Sequence, residues 1–280
     1  MKLSLSVRIA ESADKRSLSL PFEKFAALVR QSGYHAVCMR ASAGGIQTPR
    51  EKLAAMRAVT DRLKLAVSMV TSDFNVPLNN ERGPEALRDI GPHLEVVKTF
   101  GASLLRVCLK TEKDIRWAQR AADAAAEQGI RLAHQCHTGS LFETVDHIVE
   151  VLHRVDRKNF GLIYEPANLM LCGQDYGREV LRRLAPWIMN VYLQNHRLNE
   201  KGRESLVTWV RGEVRYDLIP LWERGGVDFE EVFAGLKDIG YRGYVTVHQA
   251  YAALMGPEDA AVKSQAYLRK GGRFDPPIVE

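Results

Sequence analysis

Cysteine is scarce in this chain. There are four, Cys38, Cys108, Cys136 and Cys172, far apart and with no CxxC pair. A zinc knuckle, a disulfide framework and a thioredoxin motif are therefore excluded, and the usage points to a reducing, cytoplasmic setting. Long hydrophobic runs are missing too: none approaches the roughly 20 residues that span a bilayer. No membrane partner is expected. The opening MKLSLSVRIAES alternates polar and apolar residues, without the apolar core or cleavage site of a signal peptide. Charge of one sign is not in excess. The 39 basic residues face 34 acidic ones, the formal charge is +5, and no basic run occurs, which argues against nucleic acid. With 46% hydrophobic and 26% charged residues, wholesale disorder is excluded as well.

What is present is an alternation. Short β-rich runs, Leu3–Ile9, Ala36–Met39, Leu65–Val70, Ser103–Leu109, Arg131–Gln135, Gly161–Tyr164, Met189–Leu193 and Tyr244–Val247, are separated by amphipathic stretches. Eight such runs close a parallel barrel, and the unit length of about 35 residues is normal for that fold. The helical stretches are Pro21–Ser32, Thr48–Leu63, Pro84–Phe100, Glu112–Gln128, Ser140–Val155, Asp175–Leu184, Asp228–Ile239 and Pro257–Lys270. Thr48-Pro49 reads as a cap with a first-turn proline, and Ser140 with Glu143 has capping-box spacing. The competing architecture, an open doubly wound sheet, usually has a GxGxxG turn after its first strand. Here that turn is Ala10-Glu11-Ser12-Ala13-Asp14, without glycine. The expectation is an α/β fold, a (β/α)8 TIM barrel forming one domain over residues 1–280, with a long rim loop at 197–226 that holds Trp209 and Trp222.

Barrel sites are built at the carboxyl ends of strands. The fifth run ends Ala133-His134-Gln135-Cys136-His137, and the sixth ends Ile163-Tyr164-Glu165-Pro166-Ala167-Asn168. The seventh ends Tyr192-Leu193-Gln194-Asn195-His196, and the eighth ends Thr246-Val247-His248-Gln249. Four consecutive strands deliver His, Glu, Gln and Asn to one rim, where polar groups are costly to bury without partners. In LAHQCHTG, GLIYEPANL, NVYLQNHR, GGVDFEEVFAGLKDIGY and GYVTVHQ, taken in that order, the chain resembles the xylose-isomerase-like TIM-barrel superfamily of sugar isomerases and epimerases.

The resemblance implies a divalent cation held by Glu, Asp, His and Glu from the last four strands, with the two Glu residues as an acid–base pair. Residue by residue, those positions fall on Gln135, Glu165, Tyr192 and His248, so only one carboxylate remains. Two readings follow. In one, a metal is kept by a remodelled shell of Gln135, Glu165, His196 and His248, a donor set suited to manganese, zinc, iron or cobalt. In the other, the metal is lost, and His137, Glu165 and His248 work alone as acid–base groups. Asn168, Gln194 and Gln249 are candidate hydroxyl contacts or structural amides. Arg8, Arg40 and Arg106 can bind an anionic or polyhydroxylated substrate through a guanidinium fork, or serve as ion-pair partners inside the barrel. His134 has the opposite parity and is expected to pack against helices.

The expected activity is a sugar or keto-sugar isomerase or epimerase that uses metal-assisted proton abstraction beside a carbonyl. The alternatives are a lyase or dehydratase on a keto-sugar or keto-glycoside, and a non-catalytic sugar-binding barrel. An abasic-site nuclease is disfavoured, because the rim has too few carboxylates for a multi-metal cluster. The expected partner is a small carbohydrate. A homo-oligomer is open, since the long loop could cover a neighbour's rim.

Overall fold

The computed structural model describes residues 1–278. Eight of the apolar runs become parallel strands: β1 (Lys2–Ser6), β2 (Ala36–Arg40), β3 (Ala66–Thr71), β4 (Leu104–Val107), β5 (Arg131–Gln135), β6 (Phe160–Tyr164), β7 (Ile188–Leu193) and, last in the chain, β11 (Tyr244–Val247). They close in sequence order, with β11 between β7 and β1, so the architecture is the (β/α)8 barrel. Closure is in register: Leu5 lies opposite Val247 on one side, and Ser6 opposite Cys38 on the other. A layer inside the barrel packs Cys38, Met69, Leu104, Ala133, Ile163 and Tyr192, which plugs the cylinder below the rim.

The helices are α1 (Phe22–Gln31), α2 (Arg50–Arg62), α3 (Glu85–Arg88), α4 (Gly91–Thr99), α5 (Glu112–Ala126), α6 (Val145–Val155), α7 (Pro166–Leu171), α8 (Arg178–Leu184), α9 (Phe229–Asp238) and α10 (Pro257–Gly271). Several local expectations are corrected. The stretch Pro84–Phe100 is two helices rather than one, because Asp89 leaves the helical region at φ −132° and ψ 74°. The first strand stops at Ser6 and turns into a 3-10 turn over Val7–Ala10, which lifts Arg8 out of the sheet. Thr48 does not cap α2; its hydroxyl takes the Gly45 N–H instead. Helix α6 starts at Val145 with Thr144 as its cap, so Ser140 and Glu143 do not form a capping box.

The segment after β7, which reads as loop, contains a three-stranded antiparallel sheet of β8 (His196–Leu198), β9 (Glu204–Thr208) and β10 (Gly212–Leu218) in the order β8-β10-β9. Asn195 ties its base down. The side chain donates to the carbonyls of Pro220 and Glu223 and accepts the Val227 N–H, while its own N–H goes to Gln249 Oε1 at 2.6 Å. Gly226 is required beside it, because a Cβ there would sit 2.0 Å from Asn195 Oδ1. Glu143 holds the far end of the sheet. Its buried carboxylate accepts the N–H groups of Trp209, Val210 and Gly139 at 2.5–3.0 Å.

Candidate active site

The strand ends, the 3-10 turn and the three-stranded cap enclose a cavity of about 510 Å³. Gln135, His137, Asn168, Gln194, His196, His248 and Arg106 all line it, as does Arg8. Arg40 does not. It is fully buried below the wall, where Nε donates to Glu11 Oε1 at 2.7 Å. Glu11 is also held by the Ser42 hydroxyl at 2.5 Å. The partner of Arg40 is therefore an acidic residue close in sequence to the first strand.

Glu165 is completely buried and sits behind the cavity wall, clasped by amides. Gln135 Nε2 and Asn168 Nδ2 donate to Oε2, the latter at 2.9 Å, and Gln194 Nε2 donates to Oε1. Burial pushes its carboxyl up to about 7, against the pull of Gln194 and of the Arg106, Arg8 and Arg40 charges. Its protonation therefore changes near neutral pH.

His248 is also buried. Arg40 Nη1, which can only donate, faces Nε2 at 3.3 Å, so Nδ1 carries the proton and donates to Ser6 Oγ at 3.1 Å. Burial, then Arg40, hold the ring well below the usual imidazole range. Tyr192 stacks flat on it, with ring centroids 3.8 Å apart. The Tyr192 hydroxyl meets Cys38 Sγ at 3.3 Å inside the barrel.

His137 differs in being open. Its Nδ1–H donates to the Thr138 carbonyl at 2.8 Å, which fixes the tautomer and leaves the Nε2 lone pair on the cavity side, without a protein partner among the described residues. Burial and the Arg106 charge push it down to about 3, so it is neutral across the physiological range. His196 is nearly fully buried under Tyr216, with centroids 4.7 Å apart, and neither ring nitrogen has a hydrogen-bond partner among the described residues. His134 lies outside the barrel wall against Phe142, with centroids 4.4 Å apart. Gln249 is committed to the Asn195 backbone, which leaves it no contact with the cavity.

The xylose isomerase-like TIM barrel family matches residues 26–271. The chain belongs to that family. It is 28% identical over 154 residues to the inosose dehydratase of Geobacillus thermodenitrificans, covering 54% of this chain and 51% of the relative. The chain thus spans about half the length of the curated relatives it matches. In fold it is similar to the xylose isomerase domain protein of Planctomyces limnophilus, with a TM-score of 0.72 at 17% identity over 96% of this chain and 95% of that one. The probable 3-DHS dehydratase of Bacillus anthracis gives 0.71 at 15% identity, over 96% and 99%.

Membership in this family implies a divalent cation, and the residues here do not fit one. Gln135 and Gln194 turn N–H groups toward Glu165, which leaves Gln135 Oε1 buried without a partner among the described residues, and His248 Nε2 faces Arg40. Among the described residues no three His, Cys, Asp or Glu side chains are arranged to hold a metal. The charges decide the matter. Glu165 and Glu11 face Arg8, Arg40 and Arg106, so the region already holds one positive charge in surplus. A dication would add two more beside these deeply buried side chains.

The cap residues Glu204 and Tyr216 and the loop residues Lys15, Asn79 and Lys110 also line the cavity. Sequence patterning does not single them out. Lys110 is the nearest to being legible, since it lies just beyond the fourth run; its ammonium donates to the Asn79 carbonyl at 2.9 Å.

Proposed function

We propose that this protein is a carbon–oxygen lyase that removes water from a small polyhydroxylated ketone, with His137 as the acid–base group. The observation that carries this reading is the open Nε2 of His137, a neutral base with its tautomer fixed, on a cavity wall where His248 is capped by Arg40 and the ring nitrogens of His196 are buried beneath Tyr216. Nε2 takes the proton next to the carbonyl, and the C–H electron pair passes to the carbonyl oxygen as an enolate. Arg106, whose charge acts on His137, supplies the positive charge that the enolate needs in place of a metal. When the carbonyl re-forms, the neighbouring hydroxyl is expelled and leaves as water, taking the proton from Nε2. The imidazole is restored, and the product is an unsaturated ketone or its tautomer.

One base that both takes and returns the proton is sufficient for elimination. Epimerisation, the other chemistry of the family's sugar enzymes, returns a proton to the opposite face and calls for a second open acid–base group. Glu165 titrates in the right range, but Gln135, Asn168 and Gln194 stand between it and the cavity, and the ring nitrogens of His196 are buried beneath Tyr216. The similarity to inosose dehydratases supports the same reading.

The test is incubation of the EDTA-treated protein with keto-polyols, an inosose among them, in deuterated buffer. Loss of one water by mass, abolished in His137→Gln, is the expected result. A new stereoisomer of unchanged composition would replace the lyase reading with an epimerase, and absence of both water loss and deuterium uptake would remove the enzymatic reading.

A further inference from the structure

The cavity has more positive charge than its own side chains answer. Arg8 lies on the 3-10 turn after β1 and points a guanidinium at the cavity, and its Nε is buried without a partner among the described residues. Burial, and next to it the Arg40 charge, push it down to about 10, the mark of a cation crowded by others. Of the two nearby carboxylates, Glu165 is held by its three amides, and Glu11 gives Oε1 to Arg40 and Ser42; Glu11 Oε2 attracts Arg8 but has no hydrogen-bond partner among the described residues. Lys15 lines the same end, and its own shift downward comes from burial and from Arg8. His196, 4% exposed, completes the wall with two ring nitrogens that have no partner among the described residues. One of these is an N–H, and a buried donor without an acceptor is costly until something supplies one. The only carboxylate among the lining residues is the exposed Glu204 on the cap.

We propose that the substrate carries a carboxylate or phosphate group, seated against the Arg8 guanidinium with Lys15 and the His196 N–H beside it. The assignment rests on the reading of this cavity as the substrate site. A planar fork of N–H donors matches the oxygens of either anion, and one bound anion satisfies the guanidinium, the ammonium and the orphaned imidazole together. It also weakens the positive field that depresses His137, so the base is strengthened when substrate is in place.

Three six-carbon probes separate the possibilities: D-gluconate, D-sorbitol 6-phosphate and neutral D-sorbitol, titrated calorimetrically into the EDTA-treated chain. One of the anions is expected to bind at least about tenfold more tightly than sorbitol, and which one it is distinguishes carboxylate from phosphate. Arg8→Gln should remove that preference and leave sorbitol within about twofold, while Arg8→Lys retains part of it. Glu204→Gln, on the exposed cap, should tighten the anion about two- to threefold, which keeps the test open if Arg8→Gln does not fold. Equal binding of all three probes, failure of both anions to bind at millimolar concentration, or an unchanged preference in Arg8→Gln would overturn the assignment. The dehydration assay is run alongside on neutral keto-polyols and on keto-polyols that carry a carboxylate or phosphate. Turnover without anion preference sinks the anion site alone, and anion binding without water loss sinks the lyase reading alone.

Discussion

Replacing Arg106 by Met should make the ligand-free protein more stable. The Arg106 side chain is 3% exposed, and its Nε has no partner among the described residues. Taking such an ion out of water costs several kcal/mol, and only a well-made pair recovers it. Here the recovery is partial. Glu165 attracts it and Arg40 repels it, and its outer edge reaches the cavity, where some hydration survives. The net expectation for Arg106→Met is a gain of about 1–2 kcal/mol. Unfolding entropy near 2.1 cal/mol/K per residue amounts to about 0.6 kcal/mol/K for this chain. The transition should therefore rise by about 2–3 °C. Arg40→Met is the control with the opposite sign. It leaves Glu11 buried and unpaired, which costs about 3–5 kcal/mol and lowers the transition by about 5–8 °C. Calorimetric scans of the three proteins, with far-UV circular dichroism to confirm the fold, decide the matter. If Arg106→Met is destabilised as strongly as Arg40→Met, the guanidinium has a structural role and the argument from an uncompensated charge fails.

Three further outcomes are expected. Glu165 has its carboxyl raised to about 7 from 4.5, so the folded state binds more protons than the unfolded state between those values and stability falls as pH rises through them. That contribution, about 3 kcal/mol in all, should be missing from Glu165→Gln when urea unfolding is compared at pH 4.5 and 8. His137→Gln keeps an amide in place of the imidazole and should lower kcat for water loss by about 10²–10⁴-fold, with KM changing far less. Glu143→Ala releases the Trp209 and Val210 amides from their carboxylate at a cost of about 2–3 kcal/mol. Hydrogen exchange at those two amides should then speed up by about 30- to 150-fold, and unchanged protection would show that the cap is held elsewhere.

Much of the framework was legible because barrel strands are local in sequence. Each short apolar run bounded by glycine or a helix cap, such as Arg131–Gln135 after Gly129, announces itself within a few residues, and eight in succession leave few topologies. Strand parity placed Gln135 inward and His134 outward, as found. Where the reading slipped, a contact from far away overrode a local signal. Ser140 and Glu143 have capping-box spacing, yet Glu143 is drawn off by Trp209 and Val210, 66 and 67 residues distant. The polar stretch 197–226 gave little sign of a sheet, because its strands are short, exposed and charged, and they pair only with one another.

The sequence by itself determined the barrel and the residues that its strand ends carry to the rim, since periodicity and chain order are properties of neighbours along the chain. The role of each rim residue was decided by the tertiary structure. Arg40 and Arg106 are the same residue type at comparable places on their strands, yet one meets Glu11 and is neutralised while the other meets a cavity. His137 and His248 differ in the same way, one open and one capped by a guanidinium 208 residues away. A charge or a lone pair becomes chemistry only when its surroundings leave it unsatisfied, and those surroundings are assembled from every part of the chain at once.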